Sequence, residues 1–195
     1  MADSLVNSFE ELDLLIKERL LDSNSEDILR DAIATFLFTE SGATLYMERK
    51  KFGQCQDDGT IFINTEEGWC PIGRNESKFG KFAGSILGSK VNSMFAQSVN
   101  YLSRDLHKEY QKFTLLTHNK KFYLIKNKDN AELIKSLCAL YDEYHIAPYL
   151  SYTTPNISIA FAENPLKIYR SWDINENFRY SEVIKAILLL INEPE

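Results

Sequence analysis

The chain has 195 residues, of which 44% are hydrophobic and 26% charged, and its net charge is −6. Twelve Phe, ten Tyr and two Trp give it more large apolar surface than a disordered chain carries. The length suits one globular domain, 1–195, that buries most of its unfolded surface. Three cysteines, Cys55, Cys70 and Cys138, are odd in number and widely spaced. That excludes a disulfide framework and points to a reducing compartment such as the cytoplasm.

The opening residues carry neither a basic stretch nor a long apolar core, so no secretory signal is expected there. A secretion route that uses no such signal stays compatible with this. The longest apolar run, 186–191, falls far short of the ~20 residues a spanning helix needs, so no membrane span is expected. Charge is unevenly spread. Residues 1–31 hold nine acids and three bases, whereas residues 74–128 hold eleven bases and three acids. An acidic chain thus has a basic middle.

In chain order, Ser8-Phe9-Glu10-Glu11 has the spacing of a capping box. Phe9, Leu12, Leu15, Ile16 and Leu20 then make one helical face. Ser23-Asn24-Ser25 breaks that helix, and Ser25 can cap a second one with Glu26 and Asp27 in its first turn. Two helices on so short a link predict a packed helical pair over 4–40. Residues 43–51 and 60–64 read as strands, separated by the turn signal Asp57-Asp58-Gly59. Trp69-Cys70-Pro71 is a short extended piece that Pro71 should keep at a sheet edge or outside the ladder.

From Phe79 to Leu106 the apolar residues recur at gaps of three and four, which predicts one long central helix near 76–109. Gly80, Gly84 and Gly88 on its stripe call for close approach of another backbone. Apolar runs at 113–117 and 122–125 flank His118-Asn119-Lys120-Lys121 and predict a hairpin over 113–126 with Asn119 in its turn. Asp129-Asn130 can cap a helix bearing Leu133, Ile134, Leu137, Leu140, Tyr141 and Tyr144. Residues 157–162 and 167–170 are strand candidates. Ser181 can cap a last, largely buried helix over 182–191. The sum is an α+β fold: an antiparallel sheet of about five to seven strands with about five helices against it.

The chemistry in the sequence is sparse. Cys70 precedes a predicted helix and has Arg74 and Lys78 nearby, so a cysteine hydrolase or transferase is one reading, with His118 or His145, or else His107, as base. An inert structural cysteine is the plainer reading, because no family signature surrounds it. No close ligand pairs exist for zinc, and no Glu closes a calcium loop after Asp57-Asp58. No metal or cofactor is therefore expected. Glu48-Arg49-Lys50 has the form of a nuclease strand but lacks a second carboxylate close upstream. Gly84-Ser85-Ile86-Leu87-Gly88-Ser89-Lys90 misses the phosphate-loop spacing.

The basic middle carries the leading expectation. Lys108, Lys112, Lys120, Lys121, Lys126 and Lys128 surround Tyr110, Phe113, Phe122 and Tyr123. Of these, Lys108, Lys112, Lys120, Lys121, Lys126, Phe122 and Tyr123 are the expected binding residues. They predict a non-catalytic binding or regulatory protein that meets a partner with an acidic surface. Nucleic-acid binding through the hairpin is the alternative, weakened by the scarcity of arginine. The plainer readings are that the acidic opening helices neutralise this surface, or that the lysines are solvated and the aromatics are core.

Overall fold

A computed structural model describes residues 9–22, 25–79, 90–144 and 155–194. Six strands form one sheet in the order β1-β4-β5-β6-β7-β8, where β1 is Leu45–Glu48, β4 is Gly59–Thr65, β5 is Gly68–Lys78, β6 is Phe113–His118, β7 is Lys121–Lys126 and β8 is Arg170–Asp173. A small hairpin of β2 (Lys51–Phe52) and β3 (Cys55–Gln56) stands apart from it. Every neighbouring pair in the large sheet is antiparallel except β5 and β6, which run parallel. Parallel neighbours need a crossover between them. Helix α3 (Lys90–Ser103) is its described α-helical part.

The sheet is covered on both faces. Helices α1 (Phe9–Asp22), α2 (Glu26–Glu40) and α6 (Tyr180–Ile191) share a core with Leu45, Ile61, Phe113, Leu115, Phe122 and Leu124. On the other face α3, α4 (Ala131–Tyr144) and α5 (Pro155–Glu163) pack with Leu116 and Ile125. The alternation of strand side chains decides which residue meets which layer. The α+β class thus matches the sequence reading.

Local signals hold at several points. Ser25 caps α2, its Oγ accepting the Ile28 amide at 3.3 Å. Asn119 sits at the β6–β7 tip with φ +54°, in the left-handed region that asparagine tolerates. The helix expected after Asp129-Asn130 is α4, entered through a 3-10 turn at Lys128–Asn130.

Other expectations need correction. The long helix over 76–109 does not form: Glu76, Ser77 and Lys78 end strand β5, and the described helix is only α3. The three glycines of the supposed stripe, like Ser8 and His145, lie outside the described residues. Pro71 lies in an interior strand, since β5 runs between β4 and β6. The physical rule still holds locally, because β6 pairs with β5 only from Gly73 onward and leaves Pro71 free of that ladder. Residues 157–162 form most of helix α5 rather than a strand. Ile157, Ala160 and Phe161 are buried on one face, a spacing that a short apolar run does not distinguish from a strand. The final strand is β8, which shares only Arg170 with the expected 167–170. Helix α6 starts at Tyr180 with Arg179 in the cap position, so Ser181 does not cap it.

Gly73 marks a close approach between the sheet and the core. A Cβ there would stand 2.5 Å from the ring of Phe113, which is fully buried. Gly73→Ala should therefore destabilise the fold by about 1–3 kcal/mol through overpacking. Urea unfolding of the two proteins, with equal slopes and a lower midpoint for the variant, is the check.

Candidate functional site

Strand β5 is unusual in burying a run of polar side chains. Arg74 is only 2% exposed, and Asn75, Glu76 and Ser77 are buried beside it. Such groups survive in an interior only when paired. Arg74 Nη1 donates to Asp57 Oδ2 at 2.7 Å, and its Nη2 donates to Asp105 Oδ2 at 2.7 Å. Its guanidinium also lies 5.2 Å from the Phe52 ring centroid, so the β2–β3 hairpin caps it. Asp57 further accepts the Lys50 amide at 2.7 Å and the Thr60 hydroxyl at 2.9 Å. Burial pushes the Asp57 carboxyl up, and Arg74 and these donors only partly offset that. Burial also acts on Asp105, but the His107 amide and Arg74 outweigh it and hold that carboxyl below the usual range.

A second cluster adjoins the first. Asp58 accepts from Arg30 of α2 at 2.9 Å and from the Ser77 amide at 2.8 Å. Lys78 Nζ stands 3.0 Å from Glu76 Oε1 and 3.7 Å from Asp58. Burial, reinforced by the Asp58 charge, pushes the Glu76 carboxyl up to about 8. Burial alone would push Lys78 down, but Glu76, Asp58 and Glu26 together hold it above the usual lysine range.

These pairs position the segment that borders the candidate site. Asp105 accepts the His107 amide at 3.0 Å and Gln111 Nε2 at 3.0 Å, which folds 105–111 into a turn around one carboxylate. A 3-10 turn at Lys108–Tyr110 follows. The Lys112 amide then donates to Ile72 O at 2.7 Å, which ties the segment to β5. Two buried asparagines fix the opposite wall. Asn127 donates to Gln111 O at 3.1 Å and accepts from the Thr114 hydroxyl at 3.0 Å. Asn130 donates to Lys126 O at 2.9 Å and Lys167 O at 3.0 Å.

Between these walls lies a cleft of about 710 Å³. Its apolar surface comes from Leu102 of α3, Ala131, Ile134 and Cys138 of α4, and Leu190 near the end of α6. Five lysines line it, Lys108, Lys112, Lys126, Lys128 and Lys135, against two glutamates, Glu109 and Glu193. Lys126 pairs with Glu193, and Lys112 Nζ donates to Ile191 O at 3.2 Å. Lys108, Lys128 and Lys135 make no ion pair among the described residues. Burial pushes the Cys138 thiol up, so the cleft presents a neutral thiol at pH 7. An oily floor under cationic side chains can hold an anionic, partly apolar ligand.

The expected binding residues divide. Lys108, Lys112 and Lys126 come together at this cleft. Lys120 and Lys121 sit at the far end of the hairpin, where Lys121 stands 3.8 Å from Asp173 and 5.5 Å from the Tyr123 ring. Phe122 is corrected outright. It is fully buried between Phe36 and Phe178, at 5.7 Å from each ring centroid, and has no surface to offer a ligand. Tyr123 is half-buried against the core on the other face. Lys135 escaped the sequence reading, although Ala131, Ile134, Lys135 and Cys138 have the spacing of one helix face.

Cys70 and His118 do not meet. His118 pairs with Lys78 at one end of β5, and Cys70 is eight residues back along that strand, roughly 25 Å at the usual rise. Cys70 shares a groove with His107 instead. The three cysteines are free and half-buried. Among the described residues no group of His, Cys, Asp and Glu is arranged to hold a metal ion, and no helix is long and apolar enough to cross a membrane. Comparison with known protein families, with curated proteins and with solved structures finds no match.

Two stability tests follow from the buried charges. Arg74→Met leaves Asp57 and Asp105 buried without their shared cation and should cost about 3–5 kcal/mol, whereas the triple variant Arg74→Met, Asp57→Asn, Asp105→Asn should recover part of the loss. Chemical denaturation of the three proteins measures both effects. The second test uses pH. The folded chain holds a proton on Glu76 that the unfolded chain releases above the ordinary value of 4.5. The stabilisation tied to this proton is complete below 4.5 and is lost as pH rises through about 8. Unfolding free energies measured from pH 5 to 8 should therefore fall more steeply for the native chain than for Glu76→Gln, by up to ~1.4 kcal/mol per pH unit.

Proposed function

We propose that this chain is a non-catalytic binding protein whose basic cleft takes an acidic segment of a protein partner. The observation that carries the reading is the group formed by Lys108, Lys128 and Lys135, which make no ion pair among the described residues and are set around an apolar floor where lysines outnumber glutamates five to two. Complementary charge would speed encounter with such a partner, and the floor would reward apolar side chains interleaved with its acids. The acids of the opening helices do not undercut this. Glu26 meets Lys78 at 3.8 Å, while α1 and α2 pack on the sheet face opposite α4.

The alternatives have less support. Among the described residues no arginine lines the cleft, and the hairpin aromatics expected to stack on bases are core or half-buried. A cysteine enzyme built on Cys70 and His118 lacks the geometry, since His118 of β6 stands beside Lys78, at the far end of β5 from Cys70.

The test is fluorescence anisotropy with a labelled peptide of alternating Glu and Leu, its Gln counterpart and a single-stranded oligonucleotide. The Glu peptide should bind best and weaken steeply between about 0.05 and 0.5 M salt. The double reversal Lys128→Glu, Lys135→Glu should weaken it by about tenfold or more without changing the melting temperature. Equal binding of the Glu and Gln peptides, or tighter binding of the oligonucleotide, would overturn the reading.

A further inference from the structure

A second groove, of about 640 Å³, opens where the β4–β5 turn meets the 105–111 segment. Its surface chemistry is the reverse of the cleft. Trp69, His107 and Tyr110 line it with Cys70, and Glu66 and Glu67 stand at its rim; among the described residues no lysine or arginine lines it. Trp69 is 43% exposed and Tyr110 51% exposed, a large outlay of aromatic surface to solvent.

Neither wall is loose. The Trp69 ring stands edge-on to Tyr46 at 4.6 Å, and Tyr46 stacks on Phe62 at 4.9 Å, so a ladder of rings rooted in the sheet braces it. The turn that carries Glu66 and Glu67 is closed by the Thr65 hydroxyl, which donates to Gly68 O at 2.7 Å. On the other wall His107 and Tyr110 pair at 6.2 Å between ring centroids. The His107 amide is held by Asp105, which Arg74 holds in turn. Rigid, exposed rings beside carboxylates are the chemistry that takes a guanidinium: the ring face attracts the cation and a carboxylate accepts its N–H groups.

We propose that this groove is a second docking site, for an arginine-bearing segment of a partner protein. The guanidinium lies against Trp69 or Tyr110 and is bonded by Glu66 or Glu67. The site stands independently of the basic cleft, because it uses other side chains and the opposite sign of charge. The 105–112 segment contributes to both: Lys108 and Lys112 to the cleft, His107 and Tyr110 to the groove.

The experiment reads Trp69 emission in a Trp172→Phe background, where Trp69 is the sole tryptophan. The probes are a short Arg/Gly repeat peptide and its Gln/Gly counterpart. The Arg peptide should change the emission saturably, and the Gln peptide should not. Tyr110→Ala, and separately Glu66→Gln with Glu67→Gln, should each weaken the Arg peptide by about tenfold. The glutamates are exposed, so that variant keeps its fold, which circular dichroism checks. Lys128→Glu with Lys135→Glu should leave the affinity within about twofold, which separates this site from the cleft. No response to the Arg peptide, an equal response to the Gln peptide, or full affinity in the glutamate variant would each overturn the proposal.

Discussion

The fork of Arg74 between Asp57 and Asp105 is the constraint on which the rest of the molecule depends. A guanidinium only 2% exposed is tolerable in the interior because two carboxylates meet its two ends at 2.7 Å each. The geometry is demanding, and it fixes three pieces of chain that are distant in sequence. Asp57 precedes β4, Arg74 lies in β5, and Asp105 follows α3. The energy such a triad adds over apolar residues is small or even negative, since desolvation offsets the attraction. Its contribution is to register: wrong arrangements leave a charge buried and alone, and are penalised by several kcal/mol.

From that fork the surface chemistry is laid out. Asp105 gathers its own turn, and the turn divides its side chains between two recesses of opposite character. Lysines over an apolar floor occupy one, and aromatic rings beside glutamates occupy the other. A chain whose net charge is −6 can keep a cationic cleft because only Glu109 and Glu193 of its acids line it, against five lysines. The opening helices lie across the sheet from α4, and exposed charges separated by more than about 8–10 Å are largely screened at physiological salt.

The β6–β7 hairpin shows how strand geometry sorts a basic segment. Successive residues face opposite layers, so Phe122 and Leu124 enter one core while Tyr123 and Ile125 meet the other. The lysines of the hairpin are left at its ends. Lys126 and Lys112 reach the cleft at one end, and Lys120 and Lys121 sit beside the turn at the other. What reads along the chain as one basic surface with interleaved aromatics is in space two separate cationic regions with the large rings withdrawn.

Sequence by itself determined the pieces whose causes are local. The Ser25 cap, the Asn119 turn, the alternation of 113–126 and the 3.6-residue face of α4 each depend on neighbours a few positions apart, and each was legible. So were the α+β class and the concentration of lysine in the middle of the chain. Tertiary structure alone decided β5, because its residues Arg74, Asn75, Glu76 and Ser77 look like a solvated segment until Asp57, Asp58 and Asp105 come from elsewhere to pair with them. It also decided that 157–162 coils against α3 and α4, and that Lys108, Lys112, Lys126, Lys128 and Lys135 share one cleft. Burial of a charge and convergence of side chains are set by contacts between distant segments, and a linear pattern carries no record of which segments those are.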